Sequence, residues 1–267
     1  MKLLDGGCRV YTPADGQVST QGNWTARSVI SQSSGSKRIT QTVSEYRTVC
    51  FSLPCSGVDT GQAKAYPTVV NPVAEEVLYV ASGEGHCRID GHPYDLRPGA
   101  ALFVPPGAAC SIESTGPETL RIVSSCCPED PGRRIVESPS PAVSGEPPRR
   151  MVHEDDREAI RAGQDRVFRY LVHTDLGCRA VTQFVGWIPT SRAPFHFHAY
   201  EECIYILEGQ GILHLEGYPA ASEFGPGDSI YLPDGVVHCL ENPGPSPIRL
   251  LGVFYPSGSP GAAYEND

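Results

Sequence analysis

Hydrophobic and polar residues alternate along most of this chain in short runs. Segments such as CIYIL (203–207), ILHLEG (212–217) and SIYLP (229–233) are rich in β-branched and aromatic residues. They are bounded by Gly, Pro or Asp, the pattern of half-buried strands closed by tight turns. Glycines recur where hairpins should turn, as in Glu208-Gly209-Gln210-Gly211. Only about Glu154 to Ala162 reads as helical. The pattern therefore predicts an all-β protein of barrels or sandwiches.

The pattern also repeats. Residues 76–107 align with residues 202–235 with one gap of two residues. Identical pairs are Glu76/Glu202, Tyr79/Tyr205, Gly83/Gly209, Gly85/Gly211, Gly91/Gly217, Pro93/Pro219, Pro98/Pro226, Gly99/Gly227, Pro105/Pro233 and Gly107/Gly235. The offset is close to one domain length, so the chain divides into two copies of one unit. The expected division is 1–127, a Pro-rich linker at 128–150, and 151–267. Residues 1–48, with strand-like patches such as Arg47 to Phe51, are expected to add outer strands to either unit.

The second copy carries candidate chemistry. His196-Phe197-His198 is followed by Glu202 and Gly209, and later Gly227 by Pro233, Gly235, His238 and Asn242. In a strand, residues i and i+2 share a face, so His196 and His198 point one way and Phe197 the other. Three imidazoles and one carboxylate suit Fe(II), Mn(II), Ni(II), Co(II) or Zn(II). Glu201 is a rival to Glu202, but the alternation sends it to the opposite face. Cys203 and Cys239 each follow one of these residues and are expected to pack in the barrel wall.

These two segments resemble the paired motifs of the cupin superfamily in every spacing. The first runs HxH, three residues, Glu, six residues, Gly; the second runs Gly, five residues, Pro-x-Gly, two residues, His, three residues, Asn. The one departure is Thr190, where the first motif usually opens with glycine. The resemblance implies two tandem cupin (double-stranded β-helix, jelly-roll) barrels. It also implies one divalent transition metal per chain, held by His196, His198, Glu202 and His238. In the first copy Val70, Pro72 and Cys110 stand where the histidines should be, so no metal is expected there.

The three-His, one-Glu set is similar to that of quercetinase-like dioxygenases. The expected function is a metal-dependent enzyme acting on a small oxygenated organic molecule, with Glu202 also serving as a catalytic base. A non-redox isomerase, cyclase or hydrolase, close in layout to ureidoglycine aminohydrolase, is the alternative, followed by a non-catalytic metal or small-molecule binder. Phe195, Tyr200, Tyr205 and Tyr231 are candidates for an apolar wall, and Glu201, Tyr205 and Tyr231 for groups that orient the ligands.

Composition narrows the partners. A net charge of -10 over 267 residues argues against nucleic acid. No run approaches the roughly 20 apolar residues of a membrane span, and the start of the chain reads as no signal peptide. A cytoplasmic protein is expected. The ten cysteines form no CxxC pair, so reduced, packed thiols are expected. Cys126-Cys127 is a weaker redox candidate. A small-molecule substrate is the expected partner, with a homodimer or close packing of the two barrels covering exposed sheet faces.

Overall fold

The structure, a computed structural model, describes residues 1–48, 67–129, 132–136, 141–162, 165–219 and 221–261. Val49, Cys50, Phe51 and Cys55 lie outside these. The described residues form antiparallel strands joined by turns and four short 3₁₀ turns. Among the described residues two barrels account for all of the sheets, each built from one large and one small sheet.

In the C-terminal barrel the large sheet has eight strands. Their order is Lys2–Leu3, Arg9–Tyr11, Ser229–Leu232, Glu201–Glu208, Ile248–Tyr255, Thr182–Ile188, Arg166–Val172 and Ile160–Ala162. The small sheet holds Ser191–Arg192, His238–Asn242, Gly211–Leu215 and Ser222–Phe224. In the N-terminal barrel the large sheet has seven strands, in the order Met151–His153, Ala100–Val104, Glu75–Ser82, Leu120–Cys127, Thr40–Tyr46, Trp24–Ile30 and Gln17–Gln21. Its small sheet holds Arg134–Val136, Thr68–Val70, Ala109–Ser114, Gly85–Ile89 and His92–Leu96.

The strand pairing crosses the expected division twice. Arg9–Tyr11 pairs with Ser229–Leu232 of the C-terminal barrel, and Met151–His153 pairs with Ala100–Val104 of the N-terminal one. Each barrel thus completes its large sheet with a strand from the other half of the chain. The linker is not wholly irregular either, since Arg134–Val136 pairs with Thr68–Val70.

The helical expectation is corrected as well. Glu154–Asp156 is a single 3₁₀ turn and Ile160–Ala162 is a strand. Tertiary partners override the local propensity. The Glu154 carboxylate accepts from Arg249 and Tyr79, and Ile160 takes up register opposite Phe168.

Alternation along the strands builds three apolar clusters. In Glu201–Glu208, Ile204 and Ile206 face the interior of the C-terminal barrel, while Cys203 and Tyr205 face outward. In Glu75–Ser82, Leu78 and Val80 face inward, while Val77 and Tyr79 face outward. The outward sets of both barrels merge in one cluster with Ile30, Ile39, Val123, Leu171, Val185, Leu251 and Val253. The large sheets therefore pack face to face within one chain, which covers them by close packing of the two barrels. Each fully buried aliphatic side chain there contributes about 1.5–3 kcal/mol.

Candidate metal centre

Two segments deliver the imidazoles. His196 forms an isolated antiparallel bridge with His238, the first residue of the strand His238–Asn242. The N–H of His196 donates to the His238 carbonyl at 3.0 Å, and that of His238 to the His196 carbonyl at 2.8 Å. The turn before His238 is set by Gly235, whose φ of 78° is a left-handed conformation that glycine adopts without penalty. Its N–H donates to the His198 carbonyl at 2.8 Å, which ties the second segment to the first.

The side chains converge. One ring nitrogen from each of His196, His198 and His238 lies within 4.8 Å of the others. Ring centroids are 5.2 Å apart for His196 and His198, and 4.6 Å for His196 and His238. Nδ1 of His196 sits 3.1 Å from the Pro194 carbonyl, and Nδ1 of His238 sits 2.9 Å from that of Val236. A carbonyl only accepts, so both Nδ1 atoms carry the proton and Nε2 is the unprotonated nitrogen of each ring, the form a cation requires. His198 is stacked on Tyr200, with ring planes 13° apart.

Glu202 lies beside the triad but outside the set of ligand atoms that all fall within 4.8 Å of one another. Its carboxylate reaches 3.8 Å from His198 Nε2 and is buried. Burial pushes it up to about 8, and no cation among the described residues opposes that. Burial also lowers all three imidazoles, His198 to about 3 with help from His238 and His196, and His238 to about 4. At neutral pH the metal-free site is therefore three neutral imidazoles and a neutral carboxyl. This donor set fits a divalent transition ion, which needs unprotonated nitrogens and supplies the positive charge that a buried carboxylate lacks.

A cavity of about 80 Å³ opens beside these groups. Apart from Arg166 and the four candidate ligands its wall is apolar, with Phe168, Phe184, Trp187, Ile204, Leu250 and Phe254 prominent. Arg166 is engaged with Asp165, Ser191 and the Leu240 carbonyl. These wall residues escape sequence reasoning. Their inward alternation in Arg166–Val172 and Thr182–Ile188 is the signal, and it is readable only once the register is known.

The aromatic candidates fare unevenly. Tyr200 stacks on His198, but Phe195 and Phe197 are exposed. Tyr205 and Tyr231 belong to the cluster between the barrels. Tyr231 donates to Glu201 at 2.7 Å, and Glu201 turns away from the histidines to accept from the backbone of Lys37 and Ile39. Cys203 and Cys239 are fully buried packing residues. Cys126 and Cys127 are both buried free thiols whose acidity burial suppresses.

The N-terminal barrel presents a different set. Glu76 is buried, accepts from Asn71 Nδ2 at 2.6 Å, and lies 3.4 Å from the Arg133 guanidinium. Cys110 lies against Cys87, with the sulfurs 3.6 Å apart. The only metal-ligating cluster among the described residues is the histidine triad.

Comparison with known proteins agrees with the doubled architecture. The profile of the cupin domain matches residues 58–126 and 184–254, together more than half of the chain. An uncharacterized protein of Aquifex aeolicus is 36% identical over 78 residues, covering 29% of this chain and 61% of that protein. One of Methanocaldococcus jannaschii is 39% identical over 67 residues, 25% of this chain and 52% of that protein. The chain thus spans between half and two thirds of each of these relatives. Among solved structures, a tryptophan-to-tyrosine variant of Bacillus subtilis oxalate decarboxylase superposes with a TM-score of 0.71 at 15% identity. It covers 94% of this chain and 78% of that one. A second structure of that enzyme, described for its Mn(II) centres, gives the same values. At this identity the likeness is one of fold. Among the described residues, no helix is long and apolar enough to cross a membrane.

Proposed function

This chain belongs to the cupin family as a two-barrel member, and we propose that it is a metal-dependent enzyme acting on a small oxygenated organic molecule. Its C-terminal barrel would hold one divalent transition metal through His196, His198, His238 and Glu202. The observation that carries this reading is the convergence of three neutral imidazoles beside an apolar cavity.

A bound ion would supply Lewis acidity toward a chelating substrate and, if redox-active, a place for dioxygen. The protein's own groups do the rest. The carbonyls of Pro194 and Val236 hold two rings in the ligating tautomer. Phe168, Phe184 and Phe254 exclude water and leave room for a compact substrate. Within the dioxygenase reading, the size of the cavity favours a small chelating enol such as a 1,3-diketone over a flavonol. Glu202, whose carboxyl a bound cation would ionise, would serve as the base that takes the enol proton.

A second reading draws on the same Glu202. A carboxylate beside a Lewis-acidic ion also serves a non-redox isomerase, cyclase, hydrolase or decarboxylase.

The test is elemental analysis of protein purified without added metal, followed by dioxygen uptake with acetylacetone and product analysis with oxalate. About one iron, manganese, cobalt or nickel per chain, with uptake that stops in His238→Ala, supports the dioxygenase. About one zinc per chain without uptake moves the reading to non-redox chemistry. A protein that purifies metal-free and takes up none of these ions sinks both.

A further inference from the structure

Among the described residues, the wall of the histidine cavity comes from barrel strands and the His196–His198 segment, with one exception. Pro260 lines the cavity and is buried, yet it belongs to no strand. It lies in the stretch 256–261, which follows the last strand of the barrel, Ile248–Tyr255.

That stretch turns back over the barrel. The Gly258 N–H donates to Thr182 Oγ1 at 3.2 Å, and the Thr182 and Ser257 hydroxyls pair at 2.7 Å. The Tyr170 hydroxyl donates to Ser259 Oγ at 2.8 Å, and the Tyr200 hydroxyl to the Ser259 carbonyl, also at 2.8 Å. A Cβ at Gly258 would meet the Tyr200 ring at 2.5 Å, so the missing side chain is what lets the backbone lie so close. Gly261 then comes up to Phe168, another residue of the cavity wall.

Its attachment differs from that of the rest of the wall. Arg166–Val172, Thr182–Ile188 and Ile248–Tyr255 are held by backbone ladders. The stretch 256–261 is fastened through the hydroxyls of Thr182, Tyr170 and Tyr200. Each such bond adds little net stability, so this segment can release while the barrel stays folded.

We infer that residues 257–261 form a cap on the histidine cavity, with Pro260 as its stopper and Tyr170 and Tyr200 as latches on Ser259. Proline suits the role, since it brings an apolar ring and no N–H donor to an apolar wall. Closed, the cap leaves the space of about 80 Å³ beside the imidazoles and so sets the size of molecule held there. Released, it opens the way in. The inference rests on that cavity being the substrate site of the proposed function, but access to it is a property of the metal-free protein as well.

Diethyl pyrocarbonate, a small electrophile that modifies neutral imidazoles, reads this access in metal-free protein, with peptide mass spectrometry following each histidine. His198 and His238 are 8% and 3% exposed. They should react far more slowly than His86 in the other barrel, whose side chain is 54% exposed. The double variant Tyr170→Phe, Tyr200→Phe keeps both rings and removes both latches. It should speed modification of His198 and His238 about tenfold and leave His86 unchanged. Pro260→Ala, which removes the stopper ring and neither latch, should speed it too. The inference is overturned if His198 and His238 react as fast as His86 in the wild type, or if neither variant changes their rates. It is equally overturned if His86 accelerates by the same factor, the mark of general loosening. Metal content is measured separately, so wild-type protein that takes up no ion would sink the metal assignment while the access result stands.

Discussion

His196 and His238 exchange two backbone hydrogen bonds, of 3.0 and 2.8 Å, while their rings lie 4.6 Å apart. Main-chain pairing, not the side chains, therefore brings the two halves of the site together. A side-chain change at either position leaves the bridge intact. His238→Ala should lower metal content to near zero, while the thermal midpoint of the metal-free protein stays within a few degrees of wild type. Elemental analysis and a melt in chelator check this. A collapse of the C-terminal barrel in the metal-free variant would show that the ring itself holds the fold.

Gly235 sets the approach of His238. Its φ of 78° is costly for any residue with a Cβ, though a Cβ there would meet no atom within 4 Å. Gly235→Ala should thus add only backbone strain, about 1–2 kcal/mol. Part of that cost should appear as weaker metal binding, on the order of tenfold, in competition with a chelating dye. Unchanged affinity with a lower thermal midpoint would confine the strain to the turn.

The ionisable groups of the metal-free site act in opposite directions on stability. Burial holds His196, His198 and His238 below their ordinary 6.5. As pH falls through 6.5 the unfolded chain takes up protons that the folded one refuses, so stability drops. Glu202 titrates near 8 when folded against 4.5 ordinarily. As pH rises from 4.5 the unfolded carboxyl ionises first, and stability drops until about pH 8. Glu202→Gln removes that second loss. In chelator at pH 8, the variant should be more stable than wild type by an amount on the order of a few kcal/mol. The advantage should vanish near pH 4.5. Urea unfolding at the two pH values gives the answer, and a variant less stable at pH 8 would contradict it.

The candidate ligands were legible through the resemblance of their spacing to the cupin motifs. Strand alternation does not carry them, because His196 is an isolated bridge residue and His198 lies outside any strand. The wall of the cavity was not legible. Phe184 lies 4.9 Å from Phe254, a residue remote in sequence, and that meeting depends on the register of two strands on Thr182–Ile188 and Ile248–Tyr255. Tyr205 and Tyr231 have the same alternation signal as Ile204 and Ile230, and alternation cannot say which face is interior when both are buried. Here the second face is covered by the other barrel. The crossing of Arg9–Tyr11 and Met151–His153 between barrels was hidden for a related reason. An edge strand needs only an open partner, and the sequence does not say which of two similar edges is nearer.

Glu75 and Glu201 occupy equivalent positions in the repeat, and each reaches the equivalent loop of the opposite barrel. Glu75 accepts from the N–H groups of Arg179 and Ala180 at 2.9 and 2.7 Å. Glu201 accepts from Lys37 and Ile39 at 3.0 and 2.9 Å, with the Tyr231 hydroxyl at 2.7 Å. The two carboxylates thus fasten the barrels by a pair of matched contacts. Glu201→Ala strands two backbone donors and a phenol at the interface, and each unsatisfied group costs about 1–3 kcal/mol if no water replaces the carboxylate. Glu75→Ala should cost less, because Glu75 is only half-buried and water reaches the freed donors. Both variants should purify with wild-type metal content and lowered urea midpoints. Glu201→Ala with lost metal and an unchanged midpoint would return Glu201 to the ligand set in place of Glu202.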